Sequence, residues 1–348
     1  MICSSPLLAG FFIARNLRLH AFPRAQEVEI AEFLNQRHRF VDDPPPSFEE
    51  KVEPNFPELL RAALGYGILG DPAIRSQRYP HPIDNSIREL RIAFSKPELT
   101  FRALYWRHGK ADTLVVVLHG FASTADKVLG FDKPDYMQFV GGRLFNDGLD
   151  VLAFGMPSDP VLASAMNSRL TWHGTTVEGA WSHAVCETMS ALRDRHGYKR
   201  VIVYGVREGG RYADVMSVLC EPVTRVVVDG SVLDRRRAIW RDAQHQQMKQ
   251  PILFDQLVPI EGRTSISDFL AHSRSPKIYL AGSFVLDEIE PRLREKFEQT
   301  HVNGSRYAFV AKKRSRSVPE LPDILRLLRD GADGFDGFGV RLKKRLEE

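Results

Sequence analysis

The chain has 348 residues, of which 43% are hydrophobic and 26% are charged, a composition typical of a globular protein with one large domain or one domain with insertions. Lysine and arginine exceed aspartate and glutamate by only 48 − 44 = 4, and the basic residues are scattered, which excludes the basic stripe of a nucleic-acid-binding protein. The cysteines, Cys3, Cys186 and Cys220, are an odd number at no metal-ligand spacing. They argue against a disulfide framework and against a zinc site, and favour a reducing, cytoplasmic compartment.

The N-terminal part of the chain differs in composition from the remainder. Residues 1–87 carry the densest proline punctuation, including PPP at 44–46, around short helical patterns such as Phe56–Leu64. The apolar run at residues 6–14 is too short to cross a bilayer and lacks the positive residues that precede a secretory signal. We predict an N-terminal extension that packs on a larger core, with no membrane span. A non-standard signal anchor is the alternative for the apolar run.

From residue 88 onward, short apolar runs alternate with helical patterns. The runs are continuously apolar, as buried parallel strands are. We predict strands at residues 113–119, 150–155, 201–206, 225–229, 277–281 and 307–311. We predict helices at residues 135–147, 177–196, 208–219, 289–300 and 320–328. This alternation indicates an α/β fold with a mostly parallel sheet covered by helices on both faces.

Two gaps between the predicted elements exceed normal loop length, at residues 156–176 and 232–276. Long insertions of this kind usually carry a lid or cap, so we predict a core over residues 88–330 with a cap insertion. Residues 331–348 contain a Gly/Asp-rich stretch followed by charged residues, and are predicted to form a solvated C-terminal tail.

The segment VIVYGVREGGRYADVMSVL, residues 201–219, carries the most informative pattern in the chain. A predicted strand runs through Gly205, Arg207 and Gly209 into a predicted helix, which is the strand–turn–helix context of a nucleophile elbow, G-x-S-x-G. Glycines are needed there because the strand and helix backbones nearly touch. The residue between them is expected to adopt a strained conformation.

This elbow, with the sequence LHGF at the end of an earlier strand, resembles the α/β-hydrolase superfamily of esterases and peptidases. The resemblance extends over residues 88–330 in the order of elements and implies an α/β-hydrolase fold. It also implies that the HG-type loop supplies a backbone N–H to an oxyanion hole. The ligand-binding residues implied by this resemblance are His119, Gly120, Phe121, Glu208 and Gly209.

The position that matches the nucleophilic serine of this superfamily is occupied by Arg207. A guanidinium has no nucleophilic lone pair and keeps its proton at accessible pH. An acyl-enzyme therefore cannot form at this residue.

The other two catalytic positions are also implied only by the resemblance. The acid falls at Asp287, with Asp229 as the second choice, and the base falls at Arg316 or Arg314 because the sequence after residue 301 contains no histidine. Without an imidazole, no group near neutral pH removes a proton from a hydroxyl or returns it to a leaving group. We therefore predict a hydrolase fold that has lost its hydrolytic activity and binds a ligand or a protein partner.

Two arrangements of Arg207 are compatible with the sequence. A guanidinium at a helix N-terminus, approached by Arg314 or Arg316, would bind a small anion such as a carboxylate, phosphate or sulfate. Alternatively, Arg207 pairs with Asp287 or Glu208 and fills the pocket with a structural salt bridge.

A different function is an active esterase-like or peptidase-like hydrolase of carbonyl substrates with a nucleophile elsewhere. Ser123 and Ser231 are the serines near strand ends that would be tested for this role. We interpret Glu208 as a carboxylate that interacts favourably with the dipole of the helix predicted at residues 208–219. We interpret His183 as a packing residue. We predict no cofactor and no metal site.

Overall fold

The computed structural model of the chain describes residues 53–80, 86–120, 123–156, 169–229, 266–282 and 307–312, together with residues 166, 325 and 328. All of them lie in one compact unit, which comprises residues 50–235 and 250–348. Its elements in chain order are α1 (Phe56–Leu64), β1 (Ala73–Arg78), β2 (Ile87–Ser95), β3 (Glu98–Trp106), β4 (Thr113–Leu118), α2 (Ala125–Leu129), α3 (Val140–Asn146), β5 (Asp150–Phe154), α4 (Val177–His196), β6 (Arg200–Val206), α5 (Glu208–Leu219), β7 (Arg225–Asp229), α6 (Ile266–Ala271), β8 (Lys277–Gly282) and β9 (Tyr307–Lys312). Among these elements, no helix is both long and apolar enough to cross a membrane.

The strands form one nine-stranded sheet in the order β1-β2-β3-β5-β4-β6-β7-β8-β9. The first four strands in this order pair antiparallel, and every later pair is parallel. All six strands predicted from residue 113 onward are confirmed, with ends that differ by at most one residue. The predicted α/β class with a mostly parallel sheet is therefore confirmed.

Alternate residues of the central strands point into two hydrophobic layers. One layer joins α1, α4 and α5 to residues such as Val116 and Val203. The other joins α2 and α3 to residues such as Val117 and Tyr204. Because neighbouring residues of one strand face opposite sides, the sheet is covered by helices on both faces, as the sequence predicts.

The helices α4 and α5 begin and end where the sequence predicts. The helix predicted over residues 135–147 is shorter, because Gln138 and Phe139 have φ values of 48° and 56° and only Val140–Asn146 is helical. These values lie in the left-handed region, which a right-handed helix cannot include. The predicted helix over 289–300 lies outside the described residues, as does the one over 320–328 apart from two residues.

The helix α1 packs on the N-terminal end of α4. Phe56, Leu60 and Leu64 are buried on one face of α1. The carbonyl of Leu64 accepts hydrogen bonds from the backbone N–H of Thr176 at 3.2 Å and from its Oγ1 at 3.1 Å. A side chain at Gly179 would collide with the same carbonyl, so the glycine permits this close approach.

A polar cluster fixes α2 against the antiparallel part of the sheet. Asp126 accepts hydrogen bonds from Arg102 Nη1 at 2.6 Å and from the Tyr79 hydroxyl at 2.6 Å. Arg102 also donates to Glu89 at 3.1 Å. Burial alone raises the pKa of Asp126, but the hydrogen bonds from Arg102 and Tyr79 lower it below its ordinary value.

A second polar cluster joins β8 to α5 and α6. The Lys277 ammonium is fully buried and donates to Asp214 Oδ1 at 2.8 Å and to the Phe269 carbonyl at 3.1 Å. The Tyr279 hydroxyl donates to the same Asp214 oxygen at 2.7 Å. Burial lowers the pKa of Lys277, which Asp214 opposes by stabilising the charged form. The ion pair is therefore enclosed and hydrogen-bonded, as buried charges require.

The cysteines correct one expectation. Cys186 on α4 and Cys220 at the end of α5 form a disulfide, with their Cα atoms 5.3 Å apart. The pair could not be inferred from an odd number of cysteines. The third cysteine, Cys3, lies outside the described residues. The pairing removes the cysteine-based argument for a reducing compartment.

Candidate functional site

The turn between β6 and α5 has the backbone geometry of a nucleophile elbow. Arg207 has φ 54° and ψ −120° and precedes the first residue of α5. Its N–H donates to the Asp229 carbonyl at 2.8 Å, and its own carbonyl accepts from the N–H of Gly210 at 2.8 Å. These two hydrogen bonds hold Arg207 in a backbone conformation that is unfavourable for every residue except glycine.

The two glycines of the elbow allow its backbones to approach closely. A Cβ at Gly205 would collide with the carbonyl oxygen of Gly209, and a Cβ at Gly209 would collide with that of Leu118. The elbow thus lies directly against the end of β4, where the predicted oxyanion loop begins. The sequence-based reason for glycine at these positions is confirmed.

The guanidinium of Arg207 lies over an aromatic ring. Its Cζ atom is 4.2 Å from the centroid of Tyr136, within the range of a cation–π interaction. In the part of the chain that the structure describes, no carboxylate lies within ion-pair distance of Arg207. The alternative in which Arg207 pairs with Glu208 is therefore wrong. Asp287, the other predicted partner, lies outside the described residues.

Gly120 is the point at which the side chains of the site converge. The Cβ that an alanine would carry there would lie 3.0 Å from the Tyr136 hydroxyl and 3.2 Å from Arg207 Cβ, and would collide with Glu208 Oε2. The oxyanion loop, the elbow and Tyr136 are thus neighbours. Glycine at position 120 leaves space for the Glu208 carboxylate.

The Tyr136 hydroxyl is a potential hydrogen-bond donor in this site. Its oxygen is buried and makes no hydrogen bond with standard geometry to any described residue. Burial, and then the charge of Glu208, raise the pKa of Tyr136 far above its ordinary value, against a smaller opposing effect of Gly120 and Arg207. The hydroxyl is therefore protonated near neutral pH.

Comparison with known proteins adds a test of the fold. No protein-family model matches the sequence, and no curated protein matches it. Among solved structures, acetyl xylan esterase 1 from Thermoanaerobacterium sp. JW/SL YS485 is 13% identical with a TM-score of 0.53, over 82% of this chain and 98% of that chain. The acetyl xylan esterase from Paenibacillus sp. R4 is 12% identical with a TM-score of 0.53, over 84% and 98%. A putative acetyl xylan esterase from Bacteroides fragilis NCTC 9343 is 14% identical with a TM-score of 0.51, over 81% and 85%.

The chain has the α/β-hydrolase fold. The predicted resemblance is confirmed at the level of the fold, and Arg207 occupies the tight turn between β6 and α5. At these low identities, the comparison concerns the fold and leaves the chemistry to the residues of the site.

In this α/β-hydrolase fold, His119 directly follows β4 and is held by two hydrogen bonds. It is 1% exposed, its Nδ1 lies 2.9 Å from the Gly120 carbonyl, and its Nε2 accepts from the N–H of Met156 at 3.3 Å. This network assigns the proton to Nδ1. Burial lowers the pKa of His119, which agrees with a neutral ring. Since both nitrogens are engaged, His119 is suited to positioning the loop and not to the direct ligand contact predicted for it.

The remaining predicted site residues divide into two groups. Asp229 is fully buried at the end of β7 and accepts from the Tyr204 hydroxyl at 2.6 Å. Ser123 is 1% exposed, and its hydroxyl has no hydrogen-bond partner within the described ranges. The residues that lie outside those ranges are Phe121, Ser231, Asp287, Arg314 and Arg316.

Sequence reasoning missed Tyr136. The residue lies just before α3, in a stretch that the sequence predicts to be helical, and no motif marks it. Its proximity to Arg207 depends on the fold, because the two residues are distant in the sequence and belong to different connections of the sheet.

Proposed function

We propose that this α/β-hydrolase-fold protein binds a small anionic molecule, a carboxylate or a phosphate ester, at the altered elbow and does not hydrolyse it. One observation carries the proposal: the Arg207 guanidinium lies at the elbow with an aromatic neighbour and, among the described residues, without a carboxylate partner. The alternative of a protein partner stays a prediction.

The chemistry of the described residues supports binding without hydrolysis. Arg207 cannot attack a carbonyl carbon, because its guanidinium is protonated at accessible pH. Among the described histidines, His119 lies beside the elbow, but both of its ring nitrogens are occupied. A hydrolytic cycle needs a nucleophile and a base that exchanges protons with it, and the elbow supplies neither.

The donors near the elbow favour an anion. A guanidinium stacked on a ring keeps its N–H groups available at its edge, and these form paired hydrogen bonds with carboxylates and phosphates. The Tyr136 hydroxyl adds a donor, and Arg207 lies at the positive end of the α5 dipole. The Glu208 carboxylate beside Gly120 opposes an anion by charge repulsion, so the bound group is expected on the Arg207 side of the site.

Calorimetric titration of the purified protein with acetate, inorganic phosphate and phenyl phosphate tests the proposal. We expect Arg207→Ala to weaken binding about tenfold to a hundredfold, because a hydrogen bond to a charged group contributes about 1.5–3 kcal/mol. We expect Glu208→Gln to strengthen binding, since it removes a like charge. Arg75→Ala, at an exposed position of the edge strand β1, is the matched control for lost positive charge. Absence of binding to the wild type, or equal binding by Arg207→Ala, would refute the receptor.

An active esterase is the second candidate function. It is favoured by the retained elbow geometry and by the buried Ser123 hydroxyl, which lacks a partner among described residues and follows the oxyanion loop. The solved structures of similar fold are described as acetyl xylan esterases, which suggests acetyl esters as the substrates to test.

Turnover of p-nitrophenyl acetate and acetylated xylan separates the two functions. The anion-binding proposal predicts no turnover by the wild type and no rescue by Arg207→Ser, because the sequence after residue 301 contains no histidine that could act as the base. Turnover that survives Arg207→Ala and disappears in Ser123→Ala would establish the esterase and reject the proposed loss of hydrolysis.

A further inference from the structure

Three side chains with metal-binding atoms meet on the face of the sheet that α1 and α4 cover. His183 and Glu187 lie one helical turn apart on α4, and Asp71 lies in the connection between α1 and β1. His183 Nε2 is 3.6 Å from Glu187 Oε1 and 3.9 Å from Asp71 Oδ1. One ligand atom from each residue lies within 4.8 Å of the other two.

His183 packs against aromatic rings, and its Nε2 has no hydrogen-bond partner among the described residues. The residue is 5% exposed, and its ring packs against Tyr66 at 4.9 Å and Phe94 at 5.9 Å between centroids. Both carboxylates lie beyond hydrogen-bond distance of Nε2, and no other described residue bonds to the ring.

A ligand role requires the neutral form of the His183 imidazole. Only the neutral ring has a lone pair for a metal ion. An ion pair with the carboxylates would instead require the protonated ring.

The two carboxylates are accessible to solvent, and their side chains can rotate toward a bound ion. The Asp71 side chain is 90% exposed and that of Glu187 is 38% exposed, so an ion can reach both from solvent. Ligands at about 2.0–2.2 Å from a tetrahedral zinc ion lie about 3.4 Å from one another. The distances from His183 Nε2 to the Asp71 and Glu187 oxygens exceed this value by a few tenths of an ångström. Rotation of the two carboxylate side chains, which are exposed to solvent, can close this difference.

We propose that Asp71, His183 and Glu187 form a binding site for a divalent transition-metal ion, with Zn²⁺ as the best fit to one imidazole and two carboxylates. Imidazole nitrogen favours zinc and its neighbours over Mg²⁺ and Ca²⁺, which prefer oxygen ligands alone. Water completes the coordination. A bound ion would link the connection after α1 to the side of α4 that carries His183 and Glu187. This site differs from the sequence-based expectation of no metal site.

Titration of the metal-free full chain with Zn²⁺ tests the proposal, after removal of bound metal with a chelator. We expect one Zn²⁺ per chain and a rise in Tm on binding. We expect Asp71→Asn and Glu187→Gln each to weaken Zn²⁺ binding at least about tenfold, because each removes one of three protein ligands. Mg²⁺ at the same concentrations should leave Tm unchanged.

Two matched controls separate the site from nonspecific binding by surface groups. His173→Ala removes an exposed imidazole and Glu98→Gln an exposed carboxylate, and both should bind Zn²⁺ as the wild type does. If His183→Ala fails to fold, Asp71→Asn and Glu187→Gln still test the proposal, because both side chains are exposed to solvent. Equal affinity of Glu187→Gln, Asp71→Asn and the wild type would overturn the proposal, as would loss of Zn²⁺ binding in either control.

Discussion

Replacement of Arg207 by glycine and by alanine separates the backbone strain of the elbow from the interactions of the guanidinium. Both variants lose the contact with Tyr136, so that contribution cancels between them. The difference that remains is the Cβ atom in a backbone with φ 54° and ψ −120°. We therefore expect Arg207→Gly to be the more stable variant.

The magnitude follows from two opposing contributions. A non-glycine residue in a sparsely populated backbone region costs about 1–3 kcal/mol. The Arg207→Gly variant loses about 0.4–1 kcal/mol of this stability advantage, because glycine gives the unfolded chain more conformations. The net advantage of Arg207→Gly over Arg207→Ala is roughly 1 kcal/mol, within a range of about 0–2.6. Relative to the wild type, Arg207→Ala should lose about 0.5–2 kcal/mol, the contribution of the cation–π contact.

Denaturation by guanidinium chloride measures this difference as a shift in midpoint at equal slope. Ala191→Gly is the control, because Ala191 is an exposed residue in the middle of α4. There glycine should cost about 1 kcal/mol relative to alanine, which is the opposite sign. An Arg207→Ala variant more stable than Arg207→Gly, which is the sign expected at Ala191, would show that the elbow does not hold the strained conformation.

Three further predictions concern stability. Lys277→Ala should lose about 3–5 kcal/mol in chemical denaturation because it leaves Asp214 buried without its cation, whereas Lys277→Met combined with Asp214→Leu should be far less damaging. The stabilisation that Asp126 contributes is present above the ordinary carboxyl pKa of 3.8 and is lost as pH falls through its lowered folded pKa, so the stability difference between the wild type and Asp126→Asn should shrink below pH 3.8. Thiol titration of the denatured chain should find two fewer thiols before reduction than after it, and reduction of the Cys186–Cys220 bond, which closes a loop of 34 residues, should lower the unfolding free energy by roughly 3.8 kcal/mol.

The sequence predicts the parallel part of the fold well because its signals are local. The apolar runs of the central strands are short and uninterrupted, and α4 has Thr176 as its N-cap and Gly197 as its left-handed C-cap. The edge strand β1 gives no such signal. Its residues AIRSQR are almost all exposed and show no alternation of apolar and polar side chains. It is a strand because it pairs with β2 along its whole length, which is a property of the sheet.

Only part of the candidate site can be predicted from the sequence, again because local patterns are visible there and contacts made by the fold are not. Arg207 is visible because its two glycines and its strand–helix context lie within a few residues of it. Tyr136 is brought to the same point by the connection between β4 and β5, and no local pattern marks that contact. The spacing of His183 and Glu187 on one helix face is visible in the sequence. Their approach to Asp71 depends on the packing of α1 against α4.

The conformation of Arg207 does not by itself indicate catalysis. Its two backbone hydrogen bonds, to Asp229 and from Gly210, and the close approach at Gly205 and Gly209 impose the turn on whichever residue occupies the position. The elbow conformation is therefore imposed by the backbone contacts of the fold and not by the Arg207 side chain. The surroundings of the side chain are more informative: the Arg207 guanidinium lies over the Tyr136 ring, and the proposed anion binding depends on this arrangement.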